Sequence, residues 1–271
     1  ASPILEKSAP GVVRVDGQGG YAPLALRTGC PALVESAKDQ GRAALALANV
    51  HHFAALWVEV ESIVEHDLVA FAFTSYTPSV APAGSKRPFF GTNPMAFGWP
   101  RGDEPPVVFD QASAAMARGE IMIAARDGHE IPVGVGLDAD GEPTTDPNAV
   151  INGGTQLAFG GYKGSAIALM VDLLAGGLIG QTFSYEAGQQ DNKDGGPPRG
   201  GELLLALDPN QFGDADGWRA HSNAFFEEMV SLEGVRLPGA RRHANRARIA
   251  TEGTSIPSAL HATIVTLTRG E

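Results

Sequence analysis

Residues 43–65 read AALALANVHHFAALWVEVESIVE, and the change of pattern inside this stretch decides the fold. Ala43 to Val50 is a continuous apolar run of strand length, as expected of a strand covered on both faces. Phe53, Leu56, Trp57, Val60, Ile63 and Val64 then recur at helical spacing, with Glu59, Glu61 and Glu65 on the other face. This predicts an amphipathic helix with a solvated acidic side, opening right after His51 and His52. Strand, His-His, helix is the resulting order. Ligands collect at such strand-to-helix junctions in α/β proteins, where free helix N–H groups favour phosphate or carboxylate.

Outward from this junction the same alternation continues. Gly11 to Asp16 reads as a strand, Gly17 to Gly20 as a turn, and Pro23 to Lys38 as a helix closed by Gly41. Downstream, LVAFAFTS (68–75) and PVVFDQA (106–112) are expected strands, with PSVAPAGSKRPFFGTNP (78–94) as an ordered loop or pair of turns. Ser113 to Ala125 reads as a helix capped by Ser113, and Gly134 to Gly161 as a turn-rich surface excursion. SAIALMVDLLAGGLIG (165–180) is expected to be a buried helix, Ser184 to Gly201 a mobile loop, GELLLALDP (201–209) a buried strand and Trp218 to Glu233 an amphipathic helix. The fold class is mixed α/β. No GxGxxG stands between a strand and a helix, which disfavours a standard Rossmann site.

The 271 residues, 43% of them hydrophobic, suffice for one or two domains with a sizeable core. A formal charge of -11 argues against general affinity for nucleic acid, which relies on clustered Lys and Arg. Cys30 is alone and cannot form an internal disulfide, so the reducing cytoplasm is the expected compartment. The longest apolar stretch, Ala166 to Leu178, contains Asp172 and is too short to span a bilayer, so no membrane partner is expected. The opening ASPILEKSAPGVVRVD is unlike a signal peptide, and a segment upstream of Ala1 is expected.

Several side chains are candidates for chemistry, each beside a plainer reading. His52 is either a cap or packing residue or a functional group titrating near neutrality, and His51 less so. Thr92 lies in GTNP, a turn with an exposed hydroxyl or an ordinary Asn-Pro turn. Asp110 ends a strand, where an acid caps a helix or binds sugar hydroxyls or an amide. Glu120, beside Arg118 and Gly119, is a relay acid or part of a solvated helix face. FGGYKG (159–164) resembles a phosphate cradle without P-loop spacing. Arg241, Arg242, Arg246 and Arg248 form a basic cluster that suits the 2'-phosphate of NADP or local ion pairs. No His, Cys or carboxylate pair stands out at metal-ligand spacing, so no metal is expected.

Taken together, NVHHFAALW, GTNPMAF, VVFDQASAAMARGE, GLDADGEPTTDP, FGGYKGSAIALMVDLLAG and PGARR resemble, in order, the type 2 malate/L-lactate dehydrogenase family. HHFAALW and the Glu of MARGE are most similar to its Δ1-piperideine-2-carboxylate/Δ1-pyrroline-2-carboxylate reductase branch. The resemblance implies a non-Rossmann nicotinamide-binding fold, a homodimer, and NADPH-dependent reduction of a cyclic imine to L-pipecolate or L-proline. It divides the chain into residues 1–50, part of a substrate and dimerisation domain, 51–235, the NADP-binding domain, and 236–271, a segment returning to the first.

By the family's pattern, His52, Phe53, Ala54, Ala55, Leu56, Asp110, Gln111, Ala112, Tyr162, Lys163, Gly239, Arg241 and Arg242 would bind the cofactor. Thr92, Arg118 and Gly119 would contact substrate. Glu120 would be the acidic member of a charge relay, where the branch has the shorter Asp, and His52 is carried as catalytic with it. The family's Ser-His pair and a substrate-gripping Arg lie upstream of Ala1. The implied mechanism passes hydride to an imine held near Thr92, with the proton coming from that upstream histidine. The rival readings are a dehydrogenase of malate, lactate, ureidoglycolate or sulfolactate, and a nucleotide-binding remnant without turnover.

Overall fold

The computed structural model describes residues 1–52, 55–192 and 196–269. The chain opens with a hairpin of β1 (Ile4–Ala9) and β2 (Val12–Tyr21), followed by α1 (Ala22–Gln40), β3 (Arg42–His51), α2 (Trp57–Val64) and β4 (Val69–Thr74). Then come β5 (Val80–Ala81), β6 (Met95–Arg101), β7 (Glu104–Gln111), α3 (Arg118–Asp127), β8 (Gly136–Leu137), β9 (Pro143–Thr144), α4 (Pro147–Ile151), β10 (Thr155–Leu157) and α5 (Tyr162–Asp172). A π-helical turn, Leu173–Leu178, leads to α6 (Ser184–Gln189), β11 (Arg199–Leu207), α7 (Trp218–Ser231), α8 (Ala240–Glu252) and α9 (Ser258–Arg269).

Among the described residues, seven strands form one mixed sheet in the order β1-β2-β3-β11-β4-β6-β7. β2 and β3 run parallel, joined by α1, and the other pairs are antiparallel. A small second sheet, β5-β10-β8-β9, carries the 134–161 excursion. β3 lies inside the large sheet, and its apolar run is covered on both sides as its composition requires. Leu45 and Leu47 pack with Leu33 of α1 and Ile63 of α2, while Ala46 is on the other side, in a cluster with Val171 of α5 and Ile179 after the π-helical turn. Each fully buried Leu or Ile of this core contributes about 1.5–3 kcal/mol of transfer free energy.

The structure alters several expectations. The Gly17–Gly20 stretch does not end its strand; β2 runs through it as an irregularity between Asp16 and Gly20, with Gln18 at φ 53° and Gly19 at φ 69°. The helix expected directly after the histidines begins only at Trp57, and Phe53 and Ala54 lie outside the described residues. Ser113 caps nothing: it is buried, its hydroxyl donates to the Asn93 carbonyl, and α3 starts at Arg118. The 165–180 helix is not covered all round, since Leu169, Leu173 and Leu178 are exposed. Within 184–201, α6 and the start of β11 replace part of the expected loop.

β1 and β6 have no counterpart in the sequence reading. β6 alternates half-buried and buried positions, and Gly98 is what lets α2 lie close on it. A Cβ at Gly98 would stand 2.5 Å from Val64 Cγ2.

Candidate active site

Two adjacent histidines leave β3 in opposite directions, as successive residues of an extended chain do. His51 Nδ1 sits 2.9 Å from the Pro197 carbonyl and its ring meets Tyr21 edge-on. That side is a cleft of about 760 Å³, which also includes Leu24 and Asn192. His52 turns the other way, into the protein, and is 8% exposed.

Inside, His52 meets two carboxyls. Nε2 is 3.5 Å from Glu59 Oε1 and 3.9 Å from Glu202 Oε2, which are charge contacts rather than hydrogen bonds. Glu59 comes from α2 and is 1% exposed; Glu202 comes from β11 and is wholly buried. The expected solvated acidic face of α2 is therefore corrected: of its three acids only Glu65 is exposed, while Glu59 and Glu61 are buried against partners from distant strands and helices. The ligand atoms of His52, Glu59 and Glu202 all lie within 4.8 Å of one another. The grouping is invisible in the sequence because its third member arrives on β11.

Burial shapes the charges here. It pushes the Glu202 carboxyl up to about 8, with Glu59 adding to the shift and His52 opposing it. Burial alone would pull His52 down, but Glu202, Glu59 and Asp110 more than reverse this, and the net shift is upward. Asp110, at the end of β7, is raised by burial although the Trp57 N–H it accepts works against this. That hydrogen bond, 3.1 Å, makes Asp110 the cap of α2 from a neighbouring strand.

A second cluster docks α8 against the same helix. Glu61 accepts from Arg242 (3.0 and 3.2 Å) on one oxygen and from Arg246 (2.8 Å) on the other. Both guanidiniums lie over the Trp57 ring, at 4.7 and 5.4 Å. Arg248 pairs with Glu252. Arg241 is exposed and has no ion pair among the described residues. Gly239, at φ 85°, precedes α8; a Cβ there would stand 3.0 Å from the Val108 carbonyl oxygen. Between Val108–Asp110 and Arg236–Arg242 lies a cleft of about 370 Å³.

The remaining candidates are placed as follows. Leu56 is buried in the core, and the Ala55 carbonyl accepts from Val58. Gln111 is exposed at the end of β7, and Ala112 packs on the cluster of Phe90 and Ala114. Tyr162 and Lys163 are exposed in the first turn of α5, after Gly160 and Gly161 in left-handed conformations. Thr92 is half-buried and its carbonyl accepts from the Ser113 N–H. Arg118, Gly119 and Glu120 open α3, and the Glu120 carboxylate, exposed, has no hydrogen bond or ion pair among the described residues. Thr92 is held by a network the sequence did not reveal. Asn93 Nδ2 donates to Asp172 (2.9 Å) and the Ala168 carbonyl, and the Ser184 hydroxyl bridges Asn93 and Asp172.

The structure thus brings His52, Asp110 and the Gly239–Arg242 segment around α2. An uncapped helix start carrying arginine, a close-approach glycine and a buried histidine suit a nucleotide-dependent oxidoreductase. The model of the malate/L-lactate dehydrogenase family matches residues 1–265, and the chain belongs to that family. It is 50% identical, over 269 residues, to the Δ1-pyrroline-2-carboxylate/Δ1-piperideine-2-carboxylate reductase of Pseudomonas aeruginosa, covering 98% of this chain and 80% of that protein. The crystal structure of the Δ1-piperideine-2-carboxylate reductase of Pseudomonas syringae pv. tomato superposes with a TM-score of 0.91 at 41% identity, covering 95% of this chain and 77% of that one. The (2R)-3-sulfolactate dehydrogenase (NADP(+)) of Chromohalobacter salexigens is 42% identical over 252 residues, 93% of this chain and 74% of that protein.

Proposed function

We propose that the protein reduces a cyclic imine 2-carboxylate, Δ1-piperideine-2-carboxylate or Δ1-pyrroline-2-carboxylate, to L-pipecolate or L-proline with NADPH. The observation that carries this reading is the 50% identity to a reductase of both imines along nearly the whole chain. A buried histidine held among acids adds to it, since imine reduction needs a proton at nitrogen as well as a hydride at carbon.

The cleft beside Gly239 fits a phosphate-bearing cofactor. The positive φ and the missing Cβ let the backbone come close, and the exposed Arg241 offers a guanidinium not committed to an ion pair among the described residues. Arg241 is the residue proposed for the 2'-phosphate, with Arg242 held back by Glu61 and ordering the segment. His52, Ala55, Leu56 and Asp110 shape the junction beside it, with Gln111, Ala112, Tyr162 and Lys163 as further contacts. When bound, NADPH supplies the hydride. Thr92, Arg118 and Gly119 are proposed to hold the substrate, and Glu120 to act as the relay acid.

A homodimer in the cytoplasm is part of the same reading. The exposed edge strand β1, with Ile4 and Leu5 in solvent, supports the dimer. Among the described residues no helix is long and apolar enough to cross a membrane.

The test is NADPH and NADH oxidation by the full-length protein with Δ1-piperideine-2-carboxylate, pyruvate and oxaloacetate. Preferred turnover of the imine with NADPH supports the reading. Turnover of the oxo acids alone would make it a 2-hydroxy-acid dehydrogenase, and cofactor binding without turnover a nucleotide-binding remnant.

A further inference from the structure

The Thr92 hydroxyl has no hydrogen bond among the described residues, whereas the backbone around it is tightly held. The next residue, Asn93, is fully buried and has φ 38°, a left-handed conformation that residues with a Cβ rarely adopt. Backbone of this kind persists only where its surroundings fix it, and such positions cluster at sites of function.

Three parts of the chain supply the fixing. From α5, the Ala168 carbonyl and Asp172 Oδ2 each accept from Asn93 Nδ2 at 2.9 Å. From the first residue of α6, the Ser184 hydroxyl lies 3.0 Å from Asn93 Oδ1 and 3.0 Å from Asp172 Oδ1. The Ser184 N–H donates to the same Asp172 oxygen at 2.9 Å. After β7, Ser113 donates through its N–H to the Thr92 carbonyl and through its hydroxyl to the Asn93 carbonyl, at 2.7 and 2.8 Å. Asn93, Ser113, Asp172 and Ser184 are all buried, and no buried side-chain oxygen or nitrogen among them lacks a partner, unlike those of His52 and Glu202. A buried network completed in this way fixes a single geometry. Gly91 closes the turn from its other end, since a Cβ there would stand 2.5 Å from the Tyr76 carbonyl oxygen and 2.7 Å from Asn93 Oδ1. GTNP is thus built for close approach and a left-handed bend, which an ordinary surface turn does not need.

We infer that Asn93, Asp172 and Ser184 are positioning residues for the reduction: they lock the left-handed turn at Asn93, and the locked turn sets Thr92 against the substrate. The inference rests on the reading that Thr92 holds the imine 2-carboxylate. Asp172 is the centre of the arrangement, because its one carboxyl joins α5, α6 and the turn. Tyr162 and Lys163 lie at the opposite end of α5 from Asp172, and no hydrogen bond of the network reaches them. The network therefore governs the substrate side and leaves the proposed cofactor contacts alone.

The experiment is steady-state kinetics of imine reduction by the full-length protein with NADPH saturating. It compares the wild type with Thr92→Ala, Ser184→Ala and the double variant. Thermal melts check folding, fluorescence titration follows NADPH affinity, and hydrogen exchange of the segment bearing Ser113 reports the turn without turnover. Ser184→Ala removes one hydroxyl and should lower kcat/KM for the imine by about tenfold to a hundredfold, mainly through KM, the scale on which misplaced contacts act. NADPH affinity should not change, and exchange at the Ser113 N–H should quicken. Because both single variants lose the same contact, the double variant should be no worse than Thr92→Ala alone. Should Ser184→Ala not fold, Asn93→Gly carries the same comparison, since glycine accepts the left-handed turn and lacks the carboxamide. Losses that multiply in the double variant, or an unchanged kcat/KM in folded Ser184→Ala, would overturn the inference alone. Full imine turnover by Thr92→Ala would remove Thr92 as a substrate contact and the inference with it. No imine turnover by the wild type would overturn the functional reading, and exchange at Ser113 then decides whether the network holds the turn.

Discussion

Arg242 and Glu61 meet through two hydrogen bonds to one carboxylate oxygen, 3.0 and 3.2 Å, above the ring of Trp57. The pair helps fasten helix α8 to α2, since α8 has no fully buried residue of its own. Glu61→Ala should leave two guanidiniums without their acid. Arg246 is half in solvent, so the loss is set mainly by Arg242, and about 1–3 kcal/mol of stability should go. Urea denaturation measures this, and hydrogen exchange should show α8 opening before the sheet. An unchanged midpoint would mean that Trp57 and the backbone contacts of Pro238 suffice.

Arg241, one position earlier, has no such acid among the described residues. If it receives the 2'-phosphate, Arg241→Ala removes a charge-assisted contact of about 1.5–3 kcal/mol, which weakens NADPH binding by tenfold or more. NADH, which lacks that phosphate, should bind as before. Fluorescence titration with both cofactors decides it, and equal weakening of the two would assign Arg241 a general rather than a discriminating role.

Glu202 also sets a dependence of stability on pH. Its folded value, about 8, lies above the ordinary 4.5, so the folded protein keeps a proton that the unfolded chain has released. Stability from this group is full below the unfolded value and is lost as pH rises through the folded one. The slope is at most about 1.4 kcal/mol per unit for one proton. His52, Asp110 and Asp172, all raised, act in the same direction. Thermal melts should therefore fall as pH goes from about 5 to 8, less steeply for Glu202→Gln. Parallel curves would show that Glu202 is ionised at neutrality.

The sheet was legible where composition is extreme. AALALANV and GELLLALDP read as interior strands from their continuous apolar runs, and the step from such a run to helical spacing at His52 marked the junction. β6 has no expected strand in its place, since Gly98 and Pro100 interrupt its short apolar pattern, and its Gly is required by the packing of Val64. Glu59 and Glu61 were read as solvated because helical spacing gives a face but not what covers it. Their partners, His52 with Glu202 and the arginines of α8, come from far along the chain. One signal was available: an acid inside the apolar run of β11 needs a reason.

Gly239 holds a backbone conformation, φ 85°, that costs a residue with a Cβ about 1–2 kcal/mol. Its Cβ would also stand 3.0 Å from the Val108 carbonyl oxygen, in backbone that cannot swing aside. If the cleft beside Gly239 holds the cofactor, Gly239→Ala should lower the melting temperature and weaken NADPH binding together, because the strained turn lines that cleft. Loss of stability with unchanged NADPH affinity would place the cofactor elsewhere.

Glu120 separates chemistry from binding. Its carboxylate is exposed in the first turn of α3 and has no hydrogen bond or ion pair among the described residues, so Glu120→Gln should change stability by no more than about 0.5 kcal/mol. If it is the relay acid, the variant keeps the side chain's shape and loses only its charge. NADPH affinity should then hold while kcat for the imine drops by about 10²-fold or more, the scale on which acid–base groups act. Equal turnover would sink that role.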